Sequence, residues 1–406
     1  MRTLAVVGGG VIGLSVAWRA AESGWAVTLF DPAVGSGASW VAGGMLAPLS
    51  EGWPGEEDAL AFGAASLARW PEFATRLRVL TGTELVTADQ TLTVALDGAD
   101  AADLRTIADF VNPKTRAQPD RGHDQARPRV GGPDSVESVQ PHAVGAGPDE
   151  RELRLLDRAG VREVEPGLGR GIRAGLLSPA EPAVDNRALV SALRAAAAGA
   201  GVEFRDEKVS ALGALTQDRI VLAAGAASAE LWPGLPVRPV KGEILRLRRR
   251  PSAPPPPHRV IRARVHGRPI YLVPRRDGIV LGATQYEAGF DTAVTVAGVR
   301  DLITDAETVF PGIGEYEFAE AIAGSRPGSP DNLPLIGHLD ERVIAATGHG
   351  RNGILGVPVT ADAVLALLSG SALPEARAAD PGRFGGEHSR SEHSRSTAPI
   401  SAGGVR

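Results

Sequence analysis

The 406-residue chain contains no cysteine. That excludes disulfide frameworks, thiolate metal sites, iron–sulfur clusters and cysteine nucleophiles. Lysine is scarce as well, at positions 114, 208 and 241 only, so arginine carries nearly all of the positive charge. No basic excess exists: 43 Lys and Arg against 48 Asp and Glu leave a net charge of −5, which argues against a nucleic-acid partner. The one dense basic run, Arg246 to Arg250, reads as a solvated turn. Long apolar runs are missing too. The stretch Leu4 to Trp18 is interrupted by four glycines and preceded only by Arg2, which fits neither a membrane span nor a signal-peptide core. A cytoplasmic protein with no membrane partner is expected. No histidine or carboxylate spacing suggests a metal site, and the two histidines of the HSRSEHSRS stretch read as solvated.

What is present is a hydrophobic share of 43%, enough for two domains with a sizeable core. The apolar run Leu4 to Val7 leads into Gly8, Gly9 and Gly10, then into an Ala-rich segment from Val11 to Glu22 that Gly24 stops. A second alternating strand, Ala26 to Phe30, ends on Asp31, completing a strand–helix–strand unit. Helical spacing follows from Asp58 to Leu80, and Leu92 to Ala95 reads as a strand. Between Asn112 and Pro148 bulky apolar residues almost vanish. After an amphipathic segment at Glu150 to Ala159, α/β elements return: a helix over Asn186 to Ala198 and strands near Val202 to Phe204 and Arg219 to Ala223. From Val237 to Phe318 short strands dominate (Glu243 to Leu247, Pro269 to Val273, Gly278 to Leu281, Glu315 to Phe318), suggesting an antiparallel sheet. A strand at Arg342 to Ala346 and a helix over about Val359 to Leu368 close the pattern.

The expected architecture is α/β, α+β overall, in two discontinuous domains. Residues 1–48, 150–236 and 325–375 form a dinucleotide-binding Rossmann-like domain, and 49–111 with 237–324 form a substrate domain on an antiparallel sheet. Residues 112–149 are expected to be a disordered insertion and 376–406 a disordered tail.

Gly8, Gly10 and Gly13 spell GxGxxG between the first strand and the first helix, with Asp31 closing the next strand. The first glycine permits the tight turn, the second lets a pyrophosphate approach the backbone, and the third lets helix and strand pack closely. The helix start offers unpaired N–H groups to phosphate, and Asp31 offers a carboxylate to ribose hydroxyls. The fingerprint alone does not separate FAD from NAD.

The next segment, Gly35-Ser36-Gly37-Ala38-Ser39-Trp40-Val41-Ala42-Gly43-Gly44-Met45-Leu46-Ala47-Pro48, resembles the D-amino-acid oxidase superfamily of flavoproteins, most closely its glycine oxidase branch, associated with thiamine biosynthesis. Colinear matches recur at Pro239-Val240-Lys241-Gly242-Glu243, Tyr271-Leu272-Val273-Pro274-Arg275, Leu281-Gly282-Ala283-Thr284, Ser325-Arg326-Pro327-Gly328, and Gly348-His349-Gly350-Arg351-Asn352-Gly353-Ile354-Leu355. They span residues 1 to 375 apart from the insertion.

The resemblance implies a glutathione-reductase-type FAD domain and a set of cofactor contacts. Besides Gly8, Gly10 and Gly13, these are Val11, Ile12, Asp31, Pro32, Ala38, Ser39, Gly43, Gly44 and Met45, with Val209 at the adenine end and His349 to Leu355 under the flavin ring. Two departures stand out: Ala38 replaces a usual hydroxyl residue, and Asp31 replaces the commoner glutamate. Val41 stands where some relatives carry a flavin-linking histidine, and cysteine is missing, so FAD is expected to be held without a covalent bond. Arg326 is implied as the fork that grips an amino-acid carboxylate, with Arg351 and Tyr271 as further catalytic and substrate-binding candidates. The implied reaction is oxidative deamination of glycine or a similar small amino acid by hydride transfer to flavin N5, with O2 reduced to peroxide and the imine feeding thiazole synthesis. A sarcosine or D-amino-acid oxidase or dehydrogenase is the nearest alternative, and a non-catalytic flavin-binding subunit is an alternative of another class. Lys241 and His349 are weighed as promoters of O2 reduction and read as structural. The substrate and O2 are the only partners implied; homo-oligomerisation is left open.

Overall fold

The computed structural model describes residues 2–117 and 152–385. The chain opens with strand β1 (Thr3–Val7), helix α1 (Val11–Glu22) and strand β2 (Ala26–Phe30). The short helix α2 (Ala38–Val41) and the long helix α3 (Glu57–Thr81) precede β3 (Val86–Ala88), β4 (Thr91–Ala95) and α4 (Gly98–Ala117). Next come β5 (Arg154–Asp157), α5 (Arg158–Val164), β6 (Ala174–Ser178), β7 (Ala183–Val184), α6 (Asn186–Gly199), β8 (Glu203–Arg205) and β9 (Arg219–Leu222). After α7 (Ser228–Leu231) the strands lengthen: β10 (Arg238–Arg248), β11 (Val260–Val265), β12 (Arg268–Arg275) and β13 (Gly278–Gly282). Helix α8 (Val296–Val309), β14 (Glu317–Gly328), β15 (Leu335–His338), β16 (Val343–Thr347) and α9 (Val357–Leu368) complete the described strands and α-helices.

Six strands form the first sheet in the order β15-β16-β9-β1-β2-β8, parallel except for the β15 edge. Leu4 and Val6 of β1 are fully buried, as a central parallel strand covered on both faces requires. Helices α1, α6, α9 and α3 pack together over one face, joining Leu14, Trp18, Phe73, Leu189 and Val364 in one core. The second sheet has eight strands, β14-β10-β13-β12-β11-β4-β6-β5, antiparallel apart from the β11–β4 pair. Its core gathers Leu245, Leu272 and Leu281 under Leu302 and Phe310 at the α8 side.

Several expectations need correction. The stretch Glu150 to Ala159 is not one amphipathic element: β5 pairs with β6, and α5 starts only at Arg158, where Asp157 caps Gly160 N. Both strands lie in the larger sheet, although 150–236 was expected in the dinucleotide domain, while α3, expected in the substrate domain, packs on the first core. The region from 237 to 318 also contains the 14-residue helix α8, started by Thr295, whose hydroxyl accepts from Gly298 N. The expected insertion begins too early: α4 runs to Ala117, driven by Leu104, Ile107 and Val111, and Asn112 exchanges two hydrogen bonds with Leu153. Most of that insertion lies outside the described residues. The tail begins too early as well, because Ala376 and Ala379 are buried and Arg383 holds Asp331 by two hydrogen bonds. Arg246 does not sit in a solvated turn: it belongs to β10 and points inward to Asn186.

Candidate active site

A cleft of about 1320 Å³ runs from the carboxyl ends of β1 and β9 across the face of the larger sheet. This is where a ligand crevice is expected in an open parallel sheet. Its geometry at the β1–α1 turn leaves no room for side chains. Gly8 has φ +110°, and a Cβ there would meet the Ala223 carbonyl oxygen at 2.3 Å; a Cβ at Gly13 would meet the Gly8 oxygen at 1.8 Å. Helix α1 starts at the cleft with no side-chain cap, which leaves amide dipoles facing it. The Val11 N–H donates to Ser39 Oγ at 3.0 Å, so that hydroxyl keeps its own proton to offer a phosphate. Asp31 accepts from Gly9 N at 2.6 Å and from Ala33 N at 2.7 Å, which fixes the carboxylate while leaving lone pairs on both oxygens. This cradle suits a dinucleotide pyrophosphate and ribose.

Of the residues named from the sequence, Gly8, Gly10, Val11, Ile12, Asp31, Pro32, Ala38, Ser39, Gly43, Gly44, Met45, Val209 and His349 to Ile354 line the cleft, as do Tyr271 and Arg326. Gly13 and Leu355 do not. Gly13 packs behind the turn, and buried Leu355 presents its carbonyl to Ser66 Oγ and Trp70 Nε1 of α3. Lys241 is almost wholly buried away from the cleft, its ammonium bound to Asp291 at 2.7 Å and to the Ala293 carbonyl. Gly44 has φ +85°, with the Val184 carbonyl oxygen 2.0 Å from where a Cβ would be.

Tyr271 stands on β12 with its ring between Gly43 and Gly282, both of which would clash with it if they carried a Cβ. Burial pushes its hydroxyl pKa up, and the guanidiniums of Arg326 and Arg275 partly oppose that shift. Arg326, near the end of β14, donates to the Thr284 carbonyl at 3.3 Å and lies over Gly242. Among the described residues no carboxylate stands within ion-pairing distance of it. A guanidinium beside a tyrosine hydroxyl, with no carboxylate partner among the described residues, can hold a carboxylate in a two-point fork.

Arg351 behaves differently: it is more than half exposed, and its Nε sits 2.7 Å from Glu51 Oε2. His349 is buried against Thr360 Oγ1 at 2.8 Å, and burial pulls its pKa down to about 3, so the ring is neutral. It therefore anchors the loop before α9.

Four contributors escape the sequence reading. Glu51 bridges Arg351 and Arg262, the latter at 2.7 Å. Arg275, inside a motif match but without an assigned role, donates to the Gly43 carbonyl at 2.8 Å; burial lowers its pKa to about 10. Asn186 donates to the Ser39 and Trp40 carbonyls and so ties the 38–44 loop to α6. Each contact joins residues far apart in sequence, and no local pattern encodes it.

Residues 3–367 match the profile of the DAO family of FAD dependent oxidoreductases. The chain is 31% identical to a bifunctional ThiO/ThiG protein of a Nostoc species, over 98% of this chain and 56% of that protein. It thus spans about half the length of the first curated relatives it matches. It is 32% identical to a putative thiamine biosynthesis oxidoreductase ThiO of Rhizobium etli, covering 93% of this chain and all of the relative. It is 31% identical to a glycine oxidase of Pseudomonas aeruginosa, over 90% and 94% of the two chains. Among solved structures, glycine oxidase from Geobacillus kaustophilus superposes with a TM-score of 0.79 at 27% identity, covering 95% of this chain and 100% of that one.

Proposed function

Because the chain belongs to the DAO family of FAD dependent oxidoreductases, we propose that it oxidises glycine or a similarly small amino acid to the imino acid and reduces O2 to peroxide. The observation that carries this reading is the Arg326 guanidinium, unpaired and beside Tyr271, on the cleft that also holds the dinucleotide cradle. The names of the relatives, glycine oxidase and ThiO, support the choice of substrate and a role in supplying the imine for thiazole synthesis. A cytoplasmic setting is part of the same proposal.

The chemistry supplied by bound FAD is acceptance of a hydride from the substrate Cα and passage of its electrons to O2. The chain's residues position the substrate. Arg326 grips the carboxylate in a two-point fork, and Tyr271, kept protonated by its burial, donates a third hydrogen bond. Arg275 and Asn186 hold the 38–44 loop rigid between cofactor and substrate.

Addition of glycine to the purified, FAD-loaded protein tests the proposal. Peroxide release with consumption of glycine is the expected result. Flavin bleaching without peroxide would indicate a dehydrogenase, and no bleaching with glycine, sarcosine or D-alanine would leave a non-catalytic subunit.

A further inference from the structure

Four arginines line the cleft on or beside the larger sheet: Arg262, Arg264, Arg326 and Arg351. Arg262 of β11 is the direct cross-strand partner of Tyr271 on β12, so the two side chains stand on the same face, next to each other. Arg326 reaches the same tyrosine from another strand. Of the guanidiniums around Tyr271, Arg262 and Arg275 each have a carboxylate partner, and Arg326 has none among the described residues. Arg262 forms an ion pair with Glu51 Oε1 at 2.7 Å and donates to Ser50 Oγ at 3.2 Å, and the other oxygen of Glu51 faces Arg351 Nε at 2.7 Å. Glu51 is nearly buried, with 12% of its side chain exposed. Its segment is pinned, because buried Glu181 accepts from the Leu49 and Ser50 N–H groups. Arg264, the next cleft-lining arginine on β11, has its own partner in Asp103 at 2.9 Å.

We propose that Glu51 sets the charge selectivity of the site: by occupying Arg262 and Arg351 it leaves Arg326 to bind one carboxylate and excludes amino acids that carry a second. This rests on the amino-acid oxidation proposed above. A dicarboxylic amino acid anchored on Arg326 would bring its second carboxylate past Tyr271 toward Arg262. There it would find a guanidinium already paired and a largely buried carboxylate beside it, whose like charge repels it. A small zwitterion meets no such penalty. Without the Glu51 charge, two guanidiniums become available to the second carboxylate.

Ligand binding to the full-length, FAD-loaded protein tests this without turnover. Dissociation constants for acetate and for succinate are measured by flavin absorbance perturbation and by calorimetry, and the succinate-to-acetate ratio is compared across variants with equal flavin content. In Glu51→Gln this ratio should fall by about tenfold or more, the scale of one charge-assisted hydrogen bond. The double variant Glu51→Gln/Arg262→Leu should restore most of it. Arg351→Gln, at the more exposed partner, should move the ratio the other way, because Glu51 then outweighs its remaining arginine. That variant keeps the test open if Glu51→Gln loses flavin. A ratio that stays fixed in the flavin-loaded variants would overturn the proposal. If the ratio shifts as stated but no substrate yields peroxide, the oxidase reading fails and the charge selectivity stands. Glycine turnover with an unmoved ratio gives the converse.

Discussion

The guanidinium of Arg326 lies flat against Gly242, so close that a Cβ at 242 would fall 2.3 Å from both terminal nitrogens. The absence of a side chain at Gly242 on β10 is thus what lets the Arg326 guanidinium of β14 reach Tyr271. Gly242→Ala should displace the fork and raise the KM for glycine while leaving flavin content intact. Arg326→Leu should cost on the order of 2 to 5 kcal/mol in kcat/KM, and Arg326→Lys should recover only part of it, since an ammonium cannot reproduce the fork. Steady-state kinetics with flavin quantified in each variant decides; full efficiency in Arg326→Leu would place the anchor elsewhere.

The β1–α1 turn gives a prediction about the cofactor. Because a Cβ on Gly13 would sit 1.8 Å from the Gly8 carbonyl oxygen, Gly13→Ala must push the helix off the strand. Flavin-to-protein ratio should drop sharply in that variant. In the unmodified protein, acid precipitation should release all the flavin to the supernatant, since Val41 offers no atom for a covalent link. Flavin retained in the pellet would refute the noncovalent expectation.

His349 predicts a pH effect on stability. Its folded pKa of about 3 lies below the ordinary value of 6.5, so between those two values the unfolded chain binds a proton that the folded chain does not. Stability from this residue is unaffected above about pH 6.5 and falls as pH drops below it, by up to about 1.4 kcal/mol per pH unit. Urea unfolding at pH 7.5 and 5.5 measures the slope. His349→Gln should flatten it, because the amide can still bond Thr360 but does not titrate.

The residues after α9 belong to the fold up to at least Arg383. Ala376 and Ala379 are buried, and Arg383 grips Asp331 through Nε at 2.7 Å and a second nitrogen at 3.0 Å. A chain ended before Ala376 should therefore melt lower than one ended after Gly385, by a difference on the order of 2 kcal/mol in stability. Thermal unfolding of the two truncations side by side provides the check.

The sequence makes the strand–turn–helix–strand unit readable because its determinants are local: glycines at fixed offsets, an apolar run on each side, an acid at the end of the second strand. Tyr271 and Arg326 are readable only through motif resemblance, and the fold brings them together. Arg351 is readable in the same way, yet its side chain turns to Glu51. Glu51 and Arg262 carry no local mark, since an acid before a glycine and an arginine in a strand look like any others until the sheet places the arginine beside Tyr271. Helix α8 has apolar residues at Val299, Leu302, Ile303, Ala306 and Val309, a helical spacing overshadowed by the strands around it. Strand β5 was beyond reach for a different reason: its pairing with β6, not its own pattern, decides its conformation.

The central parallel pairing of β1 with β9 joins parts of the chain made far apart in time. Thr3 and Asp218, which hydrogen-bond at the start of that pairing, are separated by 215 positions. At ribosomal speeds of about 5 to 20 residues per second, β1 waits roughly 10 to 40 s for its neighbour to be synthesised. Throughout that interval Leu4 and Val6, fully enclosed in the finished protein, have no partner on that side. Those apolar side chains stay open to wrong contacts for as long as the sheet is incomplete, so slower translation lengthens the interval in which the nascent chain is exposed to aggregation.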